Sequence, residues 1–358
     1  MPDRIPEQIA SMATLEAKAK VEAYQYPPKP LARLDADIRV TYTGVCATDL
    51  HMIDNDWGLS RYPLVPGHEV VGHVIAVGSD VTDLKVGDVV GLGAQAQACG
   101  ECENCEAGID NLCPHRKFTY FENTVDETGE HVHHGGFSAY LRTDSRYLFK
   151  IPEGYGEQFV GPLMCGGLTV AAPLYEYAGQ SWNLKGKRVG IVGIGGLGHM
   201  AIQFAAKMGA ETFAVSRGTG KQPFCEKLGA SGFIDSSNPA NMDTHAGKLH
   251  YLLFCVSGGI IDINHYVGLM RPYGTLHFVG VPDKIDNFSL MPLMFNRLTL
   301  SSSPIGSSSQ MRAMLKFAAE HDIKPIIEEF THKTANEAIQ KIRDGSIRFR
   351  AVLKNDLL

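Results

Sequence analysis

The residues able to do chemistry in this 358-residue chain begin with its eight cysteines, four of which crowd into one short stretch. Cys99, Cys102, Cys105 and Cys113 follow the spacing C-x2-C-x2-C-x7-C. That spacing lets one loop wrap a tetrahedral ion with four thiolates and no open position, so a zinc ion there would hold a lobe in shape and take no part in a reaction. An iron–sulfur cluster is the chemical rival, because cysteines at this separation also occur in ferredoxin loops. A second constellation is dispersed. Gly44-Val-Cys-Ala-Thr-Asp-Leu-His51 gathers the thiol of Cys46, the hydroxyl of Thr48, the carboxylate of Asp49 and the imidazole of His51. Val65-Pro-Gly-His-Glu69 sets His68 and Glu69 after a Pro-Gly turn, at the mouth of an apolar strand, and Gly161-Pro-Leu-Met-Cys-Gly-Gly167 supplies Cys165. Two thiolates and a neutral imidazole make a three-ligand zinc site whose fourth position stays open for substrate. No spacing rule joins residues so far apart, and taken singly each reads equally as a core thiol or a structural imidazole.

A third feature implies a cofactor. Lys187-Arg-Val-Gly-Ile-Val192 reads as a strand, Gly193, Gly195 and Gly198 fall in the G-x-G-x-x-G spacing, and Met200, Ala201, Phe204, Ala205 and Met208 recur with helical period. A strand, a tight glycine turn and a helix whose first N–H groups face outward form a cradle for a dinucleotide pyrophosphate. The next strand, Glu211 to Ser216, should end beside the adenosine ribose. An NAD site places an acid there for the 2′-hydroxyl, whereas this chain continues Ser216-Arg-Gly-Thr-Gly-Lys221 with two bases. Arg217 can pair with a 2′-phosphate, Lys221 adds a point charge and Ser216 a short donor, so NADP(H) is the expected cofactor.

The elements that must position these groups fall into two styles. Asp37 to Thr43 and Asp80 to Gly93 alternate apolar and polar residues or carry turn signals, as in a β-rich domain. From about residue 160 strands alternate with helices: Tyr251–Val256, Gly274–Val281 and Arg297–Ser301 read as further strands of a doubly wound parallel sheet. Ser301 to Ser309 reads as a crossing back to the first domain, followed by helical patterns at Met311–Glu320 and Thr334–Asp344 and a last strand at Ile347–Leu353. His131, His133 and His134 cluster in a polar loop and read as surface residues. Cys225 and Cys255 have no ligand type nearby and read as core thiols.

Charged residues make up 20% of the chain and the formal net charge is −6, so nothing electrostatic draws it to nucleic acid or an anionic membrane. No apolar run approaches the roughly 18 residues that span a bilayer. Clustered thiols suited to metal, together with an amino terminus bearing acid and proline where a secretory leader carries base and an apolar run, point to a reducing, cytoplasmic setting.

Read together and in order, Gly44–His51, Asn55-Asp-Trp-Gly58, Pro66-Gly-His-Glu69, the four-cysteine loop, Gly135-Gly-Phe137, Pro162–Thr169, Gly193–Met200 and Ile305-Gly-Ser307 resemble the zinc-containing medium-chain alcohol dehydrogenases. Within them the match is to the cinnamyl-alcohol-dehydrogenase-like, NADPH-dependent group. The resemblance implies an α/β fold with a GroES-like β-rich catalytic domain (residues 1–159 and 303–358, with the lobe 99–113) and a Rossmann cofactor domain (160–302). It implies two zinc ions per chain, the catalytic one on Cys46, His68 and Cys165 with Glu69 able to approach it, the structural one on the four clustered cysteines. Thr48 would pass the alcohol proton, with His51 and Asp56 completing the route to solvent and Asp49 orienting His68. The dinucleotide would contact Gly193, Gly195, Gly196, Leu197 and Gly198, then Ser216, Arg217 and Lys221, and also Cys255, Val279, Gly280, Val281, Ser303 and Ile305. Met52, Trp57, Phe118, Pro304 and Ile305 would line an apolar substrate channel suited to aromatic and medium-chain aldehydes and the matching alcohols; Pro304 stands where a plant cinnamyl enzyme carries Phe. A zinc polyol dehydrogenase of the same fold, or a non-catalytic NADPH-binding protein, are the alternatives. A homodimer joined through the strand near Leu298 to Ser303 is the expected assembly.

Overall fold

The computed structural model describes residues 4–286 and 288–358. Met1–Asp3, part of the amino-terminal segment read against a secretory leader, lie outside the described residues. The chain divides into two compact units, one of residues 1–165, 307–319 and 325–358 and one of residues 166–306 and 320–324. Among the described residues no helix is long and apolar enough to cross a membrane.

The first unit is built on a sheet in which Leu148–Lys150, Val89–Leu92, Glu69–Val77, Asp35–Val45, Arg350–Lys354 and Ile327–Thr331 lie side by side, with Tyr140–Asp144 also paired to Asp35–Val45. Its pairs are antiparallel except the last, where Ile327–Thr331 runs parallel to Arg350–Lys354. The long strand Asp35–Val45 is the hub, because its two ends take different partners along the same edge: Tyr140 faces Arg39, and Ala351 faces Val45. Val45, Leu50, Ile53, Phe137, Ala351 and Leu353 pack into one buried cluster under it. The closing strand begins at Arg350 rather than at Ile347, since Phe349 and Arg350 both donate their N–H to Ile326 O before the ladder becomes regular.

The second unit holds a six-stranded sheet in the order Gly232–Asp235, Glu211–Ser216, Arg188–Val192, Leu249–Phe254, Met270–Phe278, Thr299–Ser302, with every adjacent pair parallel. Numbered along the chain that order is third, second, first, fourth, fifth, sixth. This is the doubly wound arrangement, whose ligand crevice opens at the carboxyl ends of the strands beside the switch in direction. The central strands are mostly apolar, as parallel strands covered on both faces are: Val189, Ile191, Leu252, Leu253 and Phe254 are all buried, and only Arg188 and His250 near the amino ends of the two strands are charged or titratable and partly exposed.

Candidate active site and metal centres

The strand Asp35–Val45 ends at Cys46, which caps the helix Ala47–Asp54. The cap is reciprocal: Asp49, three residues on, accepts the Cys46 N–H on its Oδ2 at 2.9 Å. Its Oδ1 takes the Gly67 N–H at 3.0 Å and lies 3.0 Å from His68 Nδ1. Asp49 is fully buried, so its local role in starting a helix doubles as the anchor of an imidazole at the head of the neighbouring strand Glu69–Val77. With Nδ1 held by the carboxylate, His68 Nε2 is left buried with no hydrogen-bond partner among the described residues. Cys165 arrives on a π-helical turn, Leu163–Gly167, set between the helices Glu157–Pro162 and Leu168–Tyr177. Such turns recur at functional sites because the extra residue re-aims one side chain. Room for Glu69 comes from Gly44, where a Cβ would stand 2.0 Å from Glu69 Oε2.

One ligand atom from each of Cys46, His68, Glu69 and Cys165 lies within 4.8 Å of the others. An orphaned imidazole nitrogen, an unpartnered carboxylate oxygen and two thiols converging in a buried space are costly to maintain without something to bind them. A cation that takes nitrogen and sulfur, as zinc does, fits that donor set. The Cys46 thiol is held well below its ordinary range, first by the hydrogen bond from Cys165, against burial, with His68 and the Arg350 charge adding. Glu69 is pushed up to about 7, chiefly by burial and opposed by Arg350. Arg350 was not anticipated. Its guanidinium is buried and hydrogen-bonds Glu69 Oε1. Since 281 positions separate the two, no local pattern could have paired them. Tyr120 was missed as well; its hydroxyl donates to Asp49 Oδ1.

Around this cluster Thr48 Oγ1 stands 3.8 Å from Cys46 Sγ. His51 follows Thr48 by three residues, so both lie along one side of the helix. His51 Nδ1 meets Asp56 Oδ2 at 2.8 Å on the exposed surface, and its ring stacks on half-exposed Trp57 at 4.9 Å. Phe118 is half-buried and stacks on Phe121 at 5.6 Å. Met52 is buried with Leu64 and Tyr120 in a small cluster.

The four-cysteine loop closes on itself. Sulfur separations are 3.6 Å for Cys102–Cys105 and Cys113–Cys99, 3.8 Å for Cys102–Cys113 and 3.9 Å for Cys99–Cys105. Disulfide bonding is excluded at such lengths. A tetrahedron with zinc–sulfur arms of about 2.3 Å has edges of about 3.8 Å, so the four thiols fit one zinc ion with no open position.

In the second unit the glycine turn shows three different demands. Gly193 has φ +86°, a Cβ on Gly198 would stand 2.0 Å from Gly193 O, and a Cβ on Gly195 would meet nothing within 4 Å. Gly195 therefore faces open space at the start of the helix Gly198–Lys207, the room a pyrophosphate needs. Gly196 and Leu197 continue the turn into that helix. Ser216 ends its strand in register with Asp235. Asp235 Oδ1 accepts the Gly218 N–H at 2.8 Å and so shapes the loop carrying exposed Arg217. Lys221 reaches back to Ile194 O at 2.7 Å, placing its ammonium over the glycine turn. Cys255 and Val279 are half-buried just past the ends of their strands, Gly280 is buried and Val281 is 70% exposed. Ser303 Oγ pairs with His277 Nε2 at 2.9 Å, while Pro304 is exposed and Ile305 half-buried. Cys225 is a buried core thiol. His131, His133 and His134 are not loose surface groups: His133 Nδ1 lies 3.1 Å from Phe118 O, His134 packs on Tyr26 at 3.8 Å and His131 Nε2 meets Thr128 Oγ1 at 2.8 Å. His131 lies on the hairpin Asn123–Asp126 and Gly129–Val132, and His133 and His134 follow it.

Comparison with known proteins agrees with this arrangement. Residues 33–153 match the family described as alcohol dehydrogenase GroES-like domain and residues 196–320 the family described as zinc-binding dehydrogenase. Aldehyde reductase AdhA of Synechocystis sp. is 40% identical, over 97% of this chain and 99% of its own. NADP-dependent alcohol dehydrogenase C 1 of Mycolicibacterium smegmatis is 36% identical over 89% of this chain and 90% of its own. A cinnamyl alcohol dehydrogenase of Sorghum bicolor superposes with a TM-score of 0.89 at 34% identity, covering 98% of both chains. With near-full-length identity of this order added to the fold and the clustered thiols, the chain belongs to the zinc-containing medium-chain alcohol dehydrogenases of the cinnamyl-alcohol-dehydrogenase-like type.

Proposed function

We propose that this alcohol dehydrogenase works as an NADPH-dependent aldehyde reductase on aromatic and medium-chain aldehydes, and oxidises the matching alcohols. The observation that carries the reading is the buried set Cys46, His68, Glu69 and Cys165, with the unpartnered His68 Nε2 aimed among its thiols. Cys46, His68 and Cys165 would hold the catalytic zinc and Cys99, Cys102, Cys105 and Cys113 a structural one. When bound, the zinc supplies a Lewis acid for a carbonyl oxygen and the reduced nicotinamide supplies a hydride. The chain's own residues do the rest. Thr48 delivers a proton to the oxygen of the developing alcohol, and His51, paired with Asp56, restores it from solvent. Asp49 keeps His68 in the tautomer that carries its proton on Nδ1. Apolar, half-buried Phe118 favours bulky hydrocarbon substrates over polyols.

NADPH is favoured over NADH by the residues that follow the strand Glu211–Ser216 in the chain, where Arg217 and Lys221 occur and no acid does, the neighbouring Asp235 being engaged by the Gly218 N–H. A homodimer through the second unit's edge strand Thr299–Ser302 suits the apolar side chains left exposed nearby, Met294 at 68% and Phe295 at 78%. The test is a panel of cinnamaldehyde, benzaldehyde and hexanal with each cofactor, run on protein whose size has been measured by gel filtration. NADPH consumption no faster with aldehyde than without would sink the reading, and a species eluting at the monomer mass would sink the dimer. Arg217→Asp should lower NADPH affinity more than tenfold relative to NADH, because a charge-assisted phosphate contact of about 1.5–3 kcal/mol is lost; an unchanged ratio would refute the cofactor assignment.

A further inference from the structure

Asp49 carries more donors than orienting one imidazole requires. Besides the Cys46 and Gly67 N–H groups and His68, its Oδ1 accepts the Tyr120 hydroxyl at 2.7 Å, the shortest of its contacts. Tyr120 is 2% exposed, and its hydroxyl also stands 3.3 Å from His68 Nδ1. The ring packs with Met52 and Leu64, lies 5.8 Å from the His68 ring and meets Phe121 edge-on at 5.6 Å. Phe121 in turn stacks on Phe118. One side chain therefore joins the segment carrying Phe118 to the carboxylate that holds a metal-site imidazole.

We propose that Tyr120 is a positioning residue for the catalytic metal: by locking Asp49 it fixes the direction in which His68 presents Nε2. The inference rests on the zinc reading of Cys46, His68 and Cys165. Without the phenol Oδ1 keeps only the Gly67 N–H and His68, so the carboxylate holds the imidazole less firmly. Outer partners of this kind typically contribute about 10–100-fold in metal affinity.

The experiment is Tyr120→Phe, which removes the oxygen and keeps the ring. Tyr62→Phe serves as its control, since Tyr62 packs against the same cluster and donates to Ile53 O at 3.0 Å without reaching Asp49. Purified proteins are titrated with a chelator and the zinc retained per chain is measured. Wild type and Tyr62→Phe should release their weaker ion at the same chelator concentration. Tyr120→Phe should release it at a concentration corresponding to about 10–100-fold weaker binding, with the tighter ion unmoved. Equal release by Tyr120→Phe and wild type would overturn the inference alone. Equal weakening in Tyr62→Phe would reduce Tyr120 to a packing role. Wild-type protein holding a single zinc would overturn the two-site reading and this inference together.

Discussion

At the scale of single residues the site depends on two buried carboxylates with opposite surroundings. Asp49 is ringed by donors, whereas Glu69 has one oxygen on Arg350 and the other without a hydrogen bond. Removing one partner of a buried ion pair strands the other, which costs about 3–5 kcal/mol. Arg350→Met should therefore destabilise the protein by no more than about that much in urea unfolding, since Glu69, already pushed up to about 7, can take a proton once its partner is gone, and adding Glu69→Gln should recover part of the loss. A single variant that loses less than about 1 kcal/mol would show that the pair is dispensable. Cys46, Thr48, Asp49 and His51 were legible as one short polar run at the end of a strand. Arg350 and Tyr120 were not, because an Arg ahead of an apolar strand and a Tyr after a cysteine loop have no local periodicity to set them apart.

At the scale of elements, the glycine turn separates folding from binding within one motif. Gly198→Ala puts a Cβ against Gly193 O, a backbone atom that cannot step aside, so the variant should lose about 1–3 kcal/mol in thermal or urea unfolding. Gly195→Val adds a side chain into open space; its stability should match wild type while NADPH binding, followed by quenching of intrinsic fluorescence, is lost. If both variants lost stability equally, the turn would be a structural feature with no room kept for a ligand. The turn was readable because strand, glycines and helix are consecutive. Cys165 was readable as a thiol among glycines, yet its π-helical turn was not, since a run of small and apolar residues reads equally as ordinary helix.

At the scale of the whole molecule, each unit buries a neutral histidine that resists acid. His134 in the first unit lies against Tyr26 with His133 beside it, and His277 in the second sits between the hydroxyls of Ser301 and Ser303. Burial pushes both imidazoles down to about 4. In the unfolded chain they take up protons near the ordinary value of about 6.5. The unfolded state therefore binds more protons across that interval, and the stability these groups contribute, complete above about 6.5, is lost as pH falls toward 4. Urea midpoints should decline between pH 7 and 5, and His134→Gln should flatten the decline; a variant with the parent's slope would remove His134 from the account. The sequence by itself determined what lies close along the chain: the four-thiol loop, the dinucleotide turn, the basic end of the strand after it, and the alternation of strands and helices that makes a doubly wound sheet. Only the tertiary structure decided what distant segments do together. Bringing Cys46, His68 and Cys165 to one point takes two neighbouring strands and a re-aimed helix turn, and the strand that lends Arg350 joins that sheet only at the far end of the chain. Long-range strand pairing sets those distances, and it is encoded in the fit of whole faces rather than in any spacing of residue types.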